Sequence, residues 1–121
     1  MNREFAPYEP SLNLKELGFD EPCFGYYLCK NSAFGVELEL TTNWIDLLPY
    51  DSSSCKAPLY QQAFRWFREK YGYLPNIHDF NGNFKATLSG NCNWLGSWTK
   101  TYEEAELACL IKLIEIVKNN E

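Results

Sequence analysis

The chain has 121 residues, of which 45% are hydrophobic and 17% aromatic, and its 11 basic and 16 acidic residues give a net charge of −5. This length and composition exclude an intrinsically disordered chain. No apolar run approaches the roughly 18–20 residues that span a bilayer, and residues 1–10 lack the apolar stretch of a signal peptide. Five cysteines without close pairing fit a reducing compartment. We therefore expect one domain over residues 1–121, in the cytoplasm and not in a membrane.

The N-terminal residues predict an irregular segment followed by a short helix. Pro7 and Pro10 disfavour regular structure, so residues 1–10 are expected to be an irregular lead-in. Ser11 is a typical helix N-cap, and Gly18 can adopt the positive φ that ends a helix. A helix of about two turns is expected between them.

Two strand-forming segments come next. The aromatic run at 23–30 and the alternating run at 35–40 both have the composition of strands. Asn and Ser at 31–32 can turn the chain, so the two segments predict an antiparallel hairpin. Its solvent-facing side is expected to carry Glu37 and Glu39.

A long connection and a long amphipathic helix are predicted in the middle of the chain. Residues 41–56 contain a proline and three consecutive serines, which indicates a connection with one helical turn. Pro58 and Gly72 then bracket a predicted helix over 57–72. Its aromatic residues fall on one face at 100° per residue, which is typical of a core face.

The C-terminal part predicts three short strands and a second long helix. The strands are expected at 74–80, 84–89 and 94–99, and the Asn-Gly pair at 81–82 is a strong hairpin signal. The helix is expected over 102–118, opened by a capping box formed by Thr and Glu three residues apart. The fold predicted overall is α+β, with a small antiparallel sheet of hairpins packed by helices 57–72 and 102–118.

The predicted C-terminal helix is apolar on nearly all sides. One face holds Cys109, Leu113 and Val117, while Ile111 and Ile114 lie largely outside it. Such a helix must be covered on more than one side. It is therefore either the central helix of the core or part of a surface through which two copies associate, which would make the protein a homodimer.

Three stretches resemble a known group of proteins. They are ELGFDEPCFGYY at 16–27, APLYQQAFRWFREKYG at 57–72 and YEEAELACLIKLIEIVK at 102–118. Together, these stretches resemble small proteins of unknown function encoded by gut Bacteroidetes and by their phages and prophages. The resemblance covers a little over a third of the chain and implies a genomic context, but no activity and no site residues.

The sequence contains little that predicts catalysis. No cysteine or histidine pairs have zinc-ligand spacing and no phosphate-binding glycine loop is present, so we expect neither a metal nor a cofactor. The one nucleophile–base pair that can be drawn joins Cys55 to His78, the only histidine, with Asp79 to orient it. A helix starting after Cys55 would lower the pKa of its thiol. A small enzyme with this pair is one alternative function, although a non-enzymatic protein is favoured.

Nucleic-acid binding is a second alternative. Residues 57–119 are predicted in the order helix, three strands, helix, which is the order of a double-stranded RNA-binding domain. Arg65 and Arg68 on the first of these helices, with Lys85 and Lys100 on the strands, would supply a local basic patch. Against this, the last helix begins with Glu103 and Glu104, which repel phosphate, and the chain is acidic overall. Nucleic acid is therefore an unlikely partner on charge grounds.

Protein binding is the function that the composition favours. Tryptophan and tyrosine are typical interface residues when they are exposed. Alternation would place Trp94, Gly96 and Trp98 on one face of the last strand. That face either packs under a helix or, if it is open, binds a partner, and the same two alternatives hold for Trp44 in the long connection. The hypothesis is a phage-type or prophage-type accessory protein that binds an unidentified protein partner, or a second copy of itself, through Trp44, Trp94 and Trp98.

Overall fold

A computed structural model describes residues 4–31, 35–40 and 54–120. The chain divides into two compact units, Met1–Leu59 and Tyr60–Glu121, which are described in turn. Within the described part, single helices alternate with groups of three antiparallel strands, and the predicted α+β class is confirmed. The strands form two three-stranded sheets instead of the single small sheet expected. None of the described helices is long and apolar enough to cross a bilayer.

The N-terminal unit contains one helix and one sheet. Its elements are α1 (Tyr8–Glu16), β1 (Gly25–Asn31), β2 (Gly35–Leu40) and β3 (Cys55–Ala57). β1 is the central strand, with β2 and β3 antiparallel on either side of it. The predicted hairpin of β1 and β2 is therefore confirmed. The turn residue Ser32, the long connection at 41–53 and the side chains of Glu37 and Glu39 lie outside what the structure describes.

Helix α1 begins earlier than the sequence predicts, so the lead-in predicted for residues 1–10 is too long. Pro7, not Ser11, occupies the N-cap position, with extended φ and ψ. The amide of Ser11 already donates an intrahelical hydrogen bond to Pro7 O, at 3.0 Å. Pro10 is tolerated because a proline in the first turn removes an N–H that has no helical acceptor. The predicted end is confirmed, since Gly18 has a φ of 99° directly after the helix.

The helix predicted over 57–72 is shorter at its N-terminus. Residues Cys55–Ala57 form strand β3, paired with β1, and α2 begins only at Tyr60. The reason is partly local, because the residue before a proline disfavours helical backbone, and Pro58 follows Ala57. The predicted C-terminal end is correct, since α2 ends at Tyr71 and Gly72 has a φ of 74°.

The C-terminal unit has the order helix, three strands, helix. Its elements are α2 (Tyr60–Tyr71), β4 (Tyr73–Phe80), β5 (Asn83–Gly90), β6 (Trp94–Leu95) and α3 (Tyr102–Asn119). The sheet order is β4-β5-β6, all antiparallel. Asn81 and Gly82 both have positive φ, which is the type I′ turn that the Asn-Gly pair predicts. The Thr101 hydroxyl accepts a hydrogen bond from Glu104 N at 3.1 Å, so the predicted N-cap of α3 is confirmed.

Both long helices bury their apolar faces. α2 packs against β4, and α3 packs against β4 and β5. The aromatic face of α2 is part of the core as predicted, with Phe67 completely buried. In α3, Ile114 is buried together with the main apolar face, while Ile111 is exposed. Glu106 is buried as well, and its carboxylate accepts a hydrogen bond from Gln61 Nε2 at 3.3 Å.

Candidate binding face of the C-terminal sheet

The sheet of the C-terminal unit has one covered face and one exposed face. Tyr73, Ala86 and Leu88 are buried and lie on the face toward the helices, as the ring contact between Phe84 and Tyr102 of α3 shows. Side chains alternate along strands, so the residues between them point the other way. We call this second surface the open face. It consists of Leu74, Asn76, His78, Phe80, Asn83, Lys85, Thr87, Ser89, Leu95 and Trp98.

The open face exposes four large apolar side chains. Leu95 is 77% exposed, Phe80 65%, Trp98 49% and Leu74 40%. Single exposed hydrophobic residues are ordinary, but several on one sheet face are typical of an interaction surface. Of these four, the sequence predicted only Trp98. The hairpin alternation that places Leu74 and Phe80 together was available in the sequence, although which face the helices cover was not.

Trp98 reaches the open face because of an irregularity in strand pairing. Leu95 pairs with Thr87, and Thr99 pairs with Phe84. The chain therefore advances four residues from Leu95 to Thr99 while β5 advances only three between their partners. One extra residue is therefore inserted between Leu95 and Thr99, which is a β-bulge. The bulge places Trp98 beside Lys85, whose Nζ lies 4.9 Å from the Trp98 ring centroid, and beside Phe80, at a centroid distance of 6.3 Å.

The same bulge makes one prediction wrong. Uninterrupted alternation would have placed Trp94 and Trp98 on one face, but Trp94 pairs with Leu88 and is half-buried on the helix-side face. A one-residue shift in register moves every later side chain to the opposite face. Gly96 lies within the bulge, and a Cβ added there would be 2.7 Å from the Ala86 carbonyl oxygen. Trp44, the third predicted partner-binding residue, lies outside the described residues.

The polar residues of the open face carry positive charge and no carboxylate. His78 is exposed, and its Nε2 is 3.0 Å from the Thr87 hydroxyl. Between Tyr73 and Thr101 the only acidic residue is Asp79, and its pairing with Phe84 places it on the helix-side face. Lys85 therefore determines the charge of the open face, and His78 adds a polar ring beside it.

Arg65 and Arg68 are exposed residues of α2 and are not part of the C-terminal sheet. Arg65 Nε is 4.0 Å from Glu69 Oε1, so part of its charge is compensated within the helix. The predicted order of helix, three strands and helix is confirmed. Nucleic-acid binding by these arginines remains a prediction.

The Cys55 thiol does not have the environment predicted for a nucleophile. Cys55 lies in β3 and is only 7% exposed, so it does not precede a helix N-terminus. Burial raises its pKa to about 11, and the nearby positive charge of Lys15 offsets only part of that shift. The predicted lowering of the pKa is therefore wrong. His78 belongs to the other compact unit.

The burial of Cys55 predicts the order in which the thiols react with a labelling reagent. We expect iodoacetamide at pH 8 to modify the half-buried Cys92 well before Cys55, because only the thiolate reacts and burial raises the pKa of the Cys55 thiol to about 11. Burial raises the pKa of Cys92 as well, but its side chain is more exposed to the reagent than that of Cys55. Labelling of Cys55 should then rise about tenfold per pH unit from pH 7 to 9. Peptide mass spectrometry gives the rates, and the urea-unfolded chain is the control. Fastest modification at Cys55 would support the enzyme alternative instead.

Metal binding and similarity to known proteins add no further site. Within residues 4–31, 35–40 and 54–120, no three histidine, cysteine, aspartate or glutamate side chains gather as ligands for one metal ion. Among the described cysteines, Cys23, Cys55, Cys92 and Cys109, none forms a disulfide. Comparison with protein-family models, with curated proteins and with solved structures gives no match.

Proposed function

We propose that this chain is a non-enzymatic accessory protein of the phage or prophage type, and that it acts in the cytoplasm by binding another protein through the open face. The observation that carries the proposal is the exposure of Leu74, Phe80, Leu95 and Trp98 on one side of a sheet whose other side packs against two helices. Burying such side chains against a partner removes apolar surface from water, which favours association.

The composition of the open face matches that of protein interfaces. Their centres are enriched in aromatic residues, and their edges are polar and remain partly hydrated. Here Phe80 and Trp98 contact each other and form the aromatic centre. His78 and Thr87 supply the neighbouring polar groups. A few buried aromatic side chains typically provide most of the binding free energy of an interface.

Nucleic acid is the second candidate because the C-terminal unit has the element order of a double-stranded RNA-binding domain. Its charges support this candidate less well. α3 carries Glu103 and Glu104 in its first turn, where a basic cluster would be needed for phosphate contacts. Arg65, at 4.0 Å from Glu69, and the exposed Arg68 are the remaining cations proposed for this role.

The test is an affinity pull-down of the tagged full chain from a bacterial host lysate, with and without nuclease. We expect a discrete protein to be enriched by the wild-type chain and lost with the double variant Phe80→Ser/Trp98→Ser. The matched control is Ile111→Ser, which removes an exposed apolar residue from α3 and should retain the partner. Circular dichroism checks that all variants fold.

Three results would contradict the proposal. Retention of the partner by Phe80→Ser/Trp98→Ser, with loss in Ile111→Ser, would move the interface to α3 and favour the helix surface for self-association or partner binding. Recovery that disappears with nuclease and with Arg65→Ala/Arg68→Ala would favour the nucleic-acid alternative. Recovery of the bait alone would count against a stable protein partner.

A further inference from the structure

We infer that the partner presents an acidic peptide segment to the open face, with a bulky apolar residue that packs on Phe80 and Trp98 and a carboxylate that pairs with Lys85. This inference rests on the proposed function and specifies the chemistry of its partner. It depends on the charge of the open face and on the position of Lys85.

Charge complementarity indicates that the partner segment is negatively charged. The chain has a net charge of −5, yet the open face carries Lys85 and His78 and no acidic residue. The sole acidic residue between Tyr73 and Thr101, Asp79, points toward the other face. A face with this local sign attracts a negatively charged segment and repels a positively charged one.

The position of Lys85 indicates that one partner segment makes the ionic contact and the apolar contact side by side. Its ammonium lies 4.9 Å from the centre of the Trp98 ring, and Trp98 in turn contacts Phe80. The side chain of Lys85 is itself half-buried. A carboxylate that meets this ammonium is therefore placed directly beside the two aromatic rings. Partial exclusion of water strengthens a charge-assisted hydrogen bond at that point.

The strand edge disfavours an alternative way of binding a peptide. A two-residue type I′ turn makes Phe80 and Asn83 a hydrogen-bonded pair, so the backbone groups of His78 and Asn76 also point toward β5. Those of Pro75, Ile77 and Asp79 then point outward from the edge strand β4. Pro75 has no N–H to donate there, and it interrupts the edge as a template for an added strand. Recognition through side chains on the open face is favoured instead.

Two other occupants fit the face less well. A second copy docked symmetrically by its own open face would bring two cationic surfaces together, with Lys85 near the partner copy's equivalent residue. A single-stranded nucleic acid stacks bases on aromatic residues but also needs a groove of positive charges along its backbone. Lys85 and His78 alone do not form such a groove.

The test starts from random 12-residue peptides displayed on phage and selected on the immobilised full chain. Binders that also bind Phe80→Ser/Trp98→Ser are removed by counter-selection. We expect the remaining peptides to contain more Asp and Glu than Lys and Arg, together with at least one Phe, Leu or Trp. One of them, labelled with fluorescein, is then titrated with the protein by fluorescence anisotropy.

Lys85 variants provide the matched comparison. We expect Lys85→Gln to weaken the selected peptide about tenfold and to reduce the salt dependence of binding, and Lys85→Arg to retain both. Selected peptides without an acidic excess, or equal affinity for Lys85→Gln, would overturn the inference while leaving the protein-binding face in place. The absence of any binder that depends on Phe80 and Trp98 would contradict the proposed function itself. Tighter binding of a 12-residue polyuridine would overturn both.

Discussion

Gly90→Ala is expected to lower the free energy of unfolding by about 3 kcal/mol, whereas Gly82→Ala should lower it by only about 1 kcal/mol. Both glycines have a φ near +80°, so both variants place a side chain in the left-handed region. They differ in their surroundings. A Cβ at Gly90 would be 2.3 Å from the Gly72 carbonyl oxygen, but one at Gly82 would have nothing within 4 Å.

The larger effect at Gly90 comes from a close approach of two backbone segments. Gly72 joins α2 to β4, and its carbonyl oxygen accepts a hydrogen bond from Asn91 N at 3.0 Å. The Asn91 side chain also donates to Tyr71 O at 2.9 Å. A Cβ at Gly90 must separate these segments, because a backbone oxygen cannot rotate away as a flexible side chain can.

Urea unfolding followed by far-UV circular dichroism measures the two free energies. Gly82→Ala is the matched control, since it carries the same conformational cost without the steric one. Equal losses of stability in the two variants would show that the Gly72 carbonyl oxygen leaves room for a Cβ at Gly90. A loss at Gly82 greater than at Gly90 would contradict the explanation.

Phe67→Ala is expected to be the most destabilising single truncation of an aromatic side chain in α2, at about 3–5 kcal/mol. The side chain is completely buried, and its ring packs against Trp66 at a centroid distance of 5.0 Å and against Tyr71 at 6.0 Å. Truncation removes these contacts and leaves a cavity. The cost is set by both the lost burial and the empty volume.

Phe80→Ala is the control for Phe67→Ala and should change stability by no more than about 0.5 kcal/mol. It removes the same side chain from a position that is 65% exposed. The measurement is again urea unfolding, with the partner-binding assay run in parallel. We expect Phe67→Ala to lower stability, and Phe80→Ala to lower binding without lowering stability. A large loss of stability at Phe80 would mean that the open face is part of the core.

Local signals in the sequence predict much of the C-terminal unit. The Asn-Gly pair at 81–82 fixes its turn because both residues adopt positive φ at low cost, and Thr101 caps α3 through a single side-chain oxygen. Gly72 ends α2 for the same conformational reason. Each of these features depends on a few neighbouring residues, and so it can be read without knowing what packs against it.

Features that depend on distant residues could not be predicted. Strand β3 exists because Cys55–Ala57 pairs with β1, about thirty residues earlier in the chain. The start of α1 at Tyr8 is similar, since Ser11 is buried and its hydroxyl donates to Ala6 O instead of capping the helix. Propensity alone favours the competing assignments at both places.

The candidate site was partly predictable for the same reason. The residue type of Trp98 predicts an interface residue, and the structure exposes 49% of it; its part in binding stays a prediction. The contacts of Trp98 with Phe80 and Lys85 could not be predicted because they form only through the bulge, and no local motif marks an inserted residue. Gly96 is the one signal present in the sequence, since glycine is common in irregular strands.

The bulge before Trp98 also makes the side of the sheet that Trp98 occupies independent of the chain length before it. Trp98 directly precedes Thr99, which pairs with Phe84 on the helix-side face, so the indole stays on the open face as long as that pairing is kept. Loss of one codon between Leu95 and Trp98 would remove the extra residue and restore regular alternation, with the indole still on the face of Lys85. In related sequences, the aromatic centre of this surface can therefore persist through small insertions and deletions at the sheet margin.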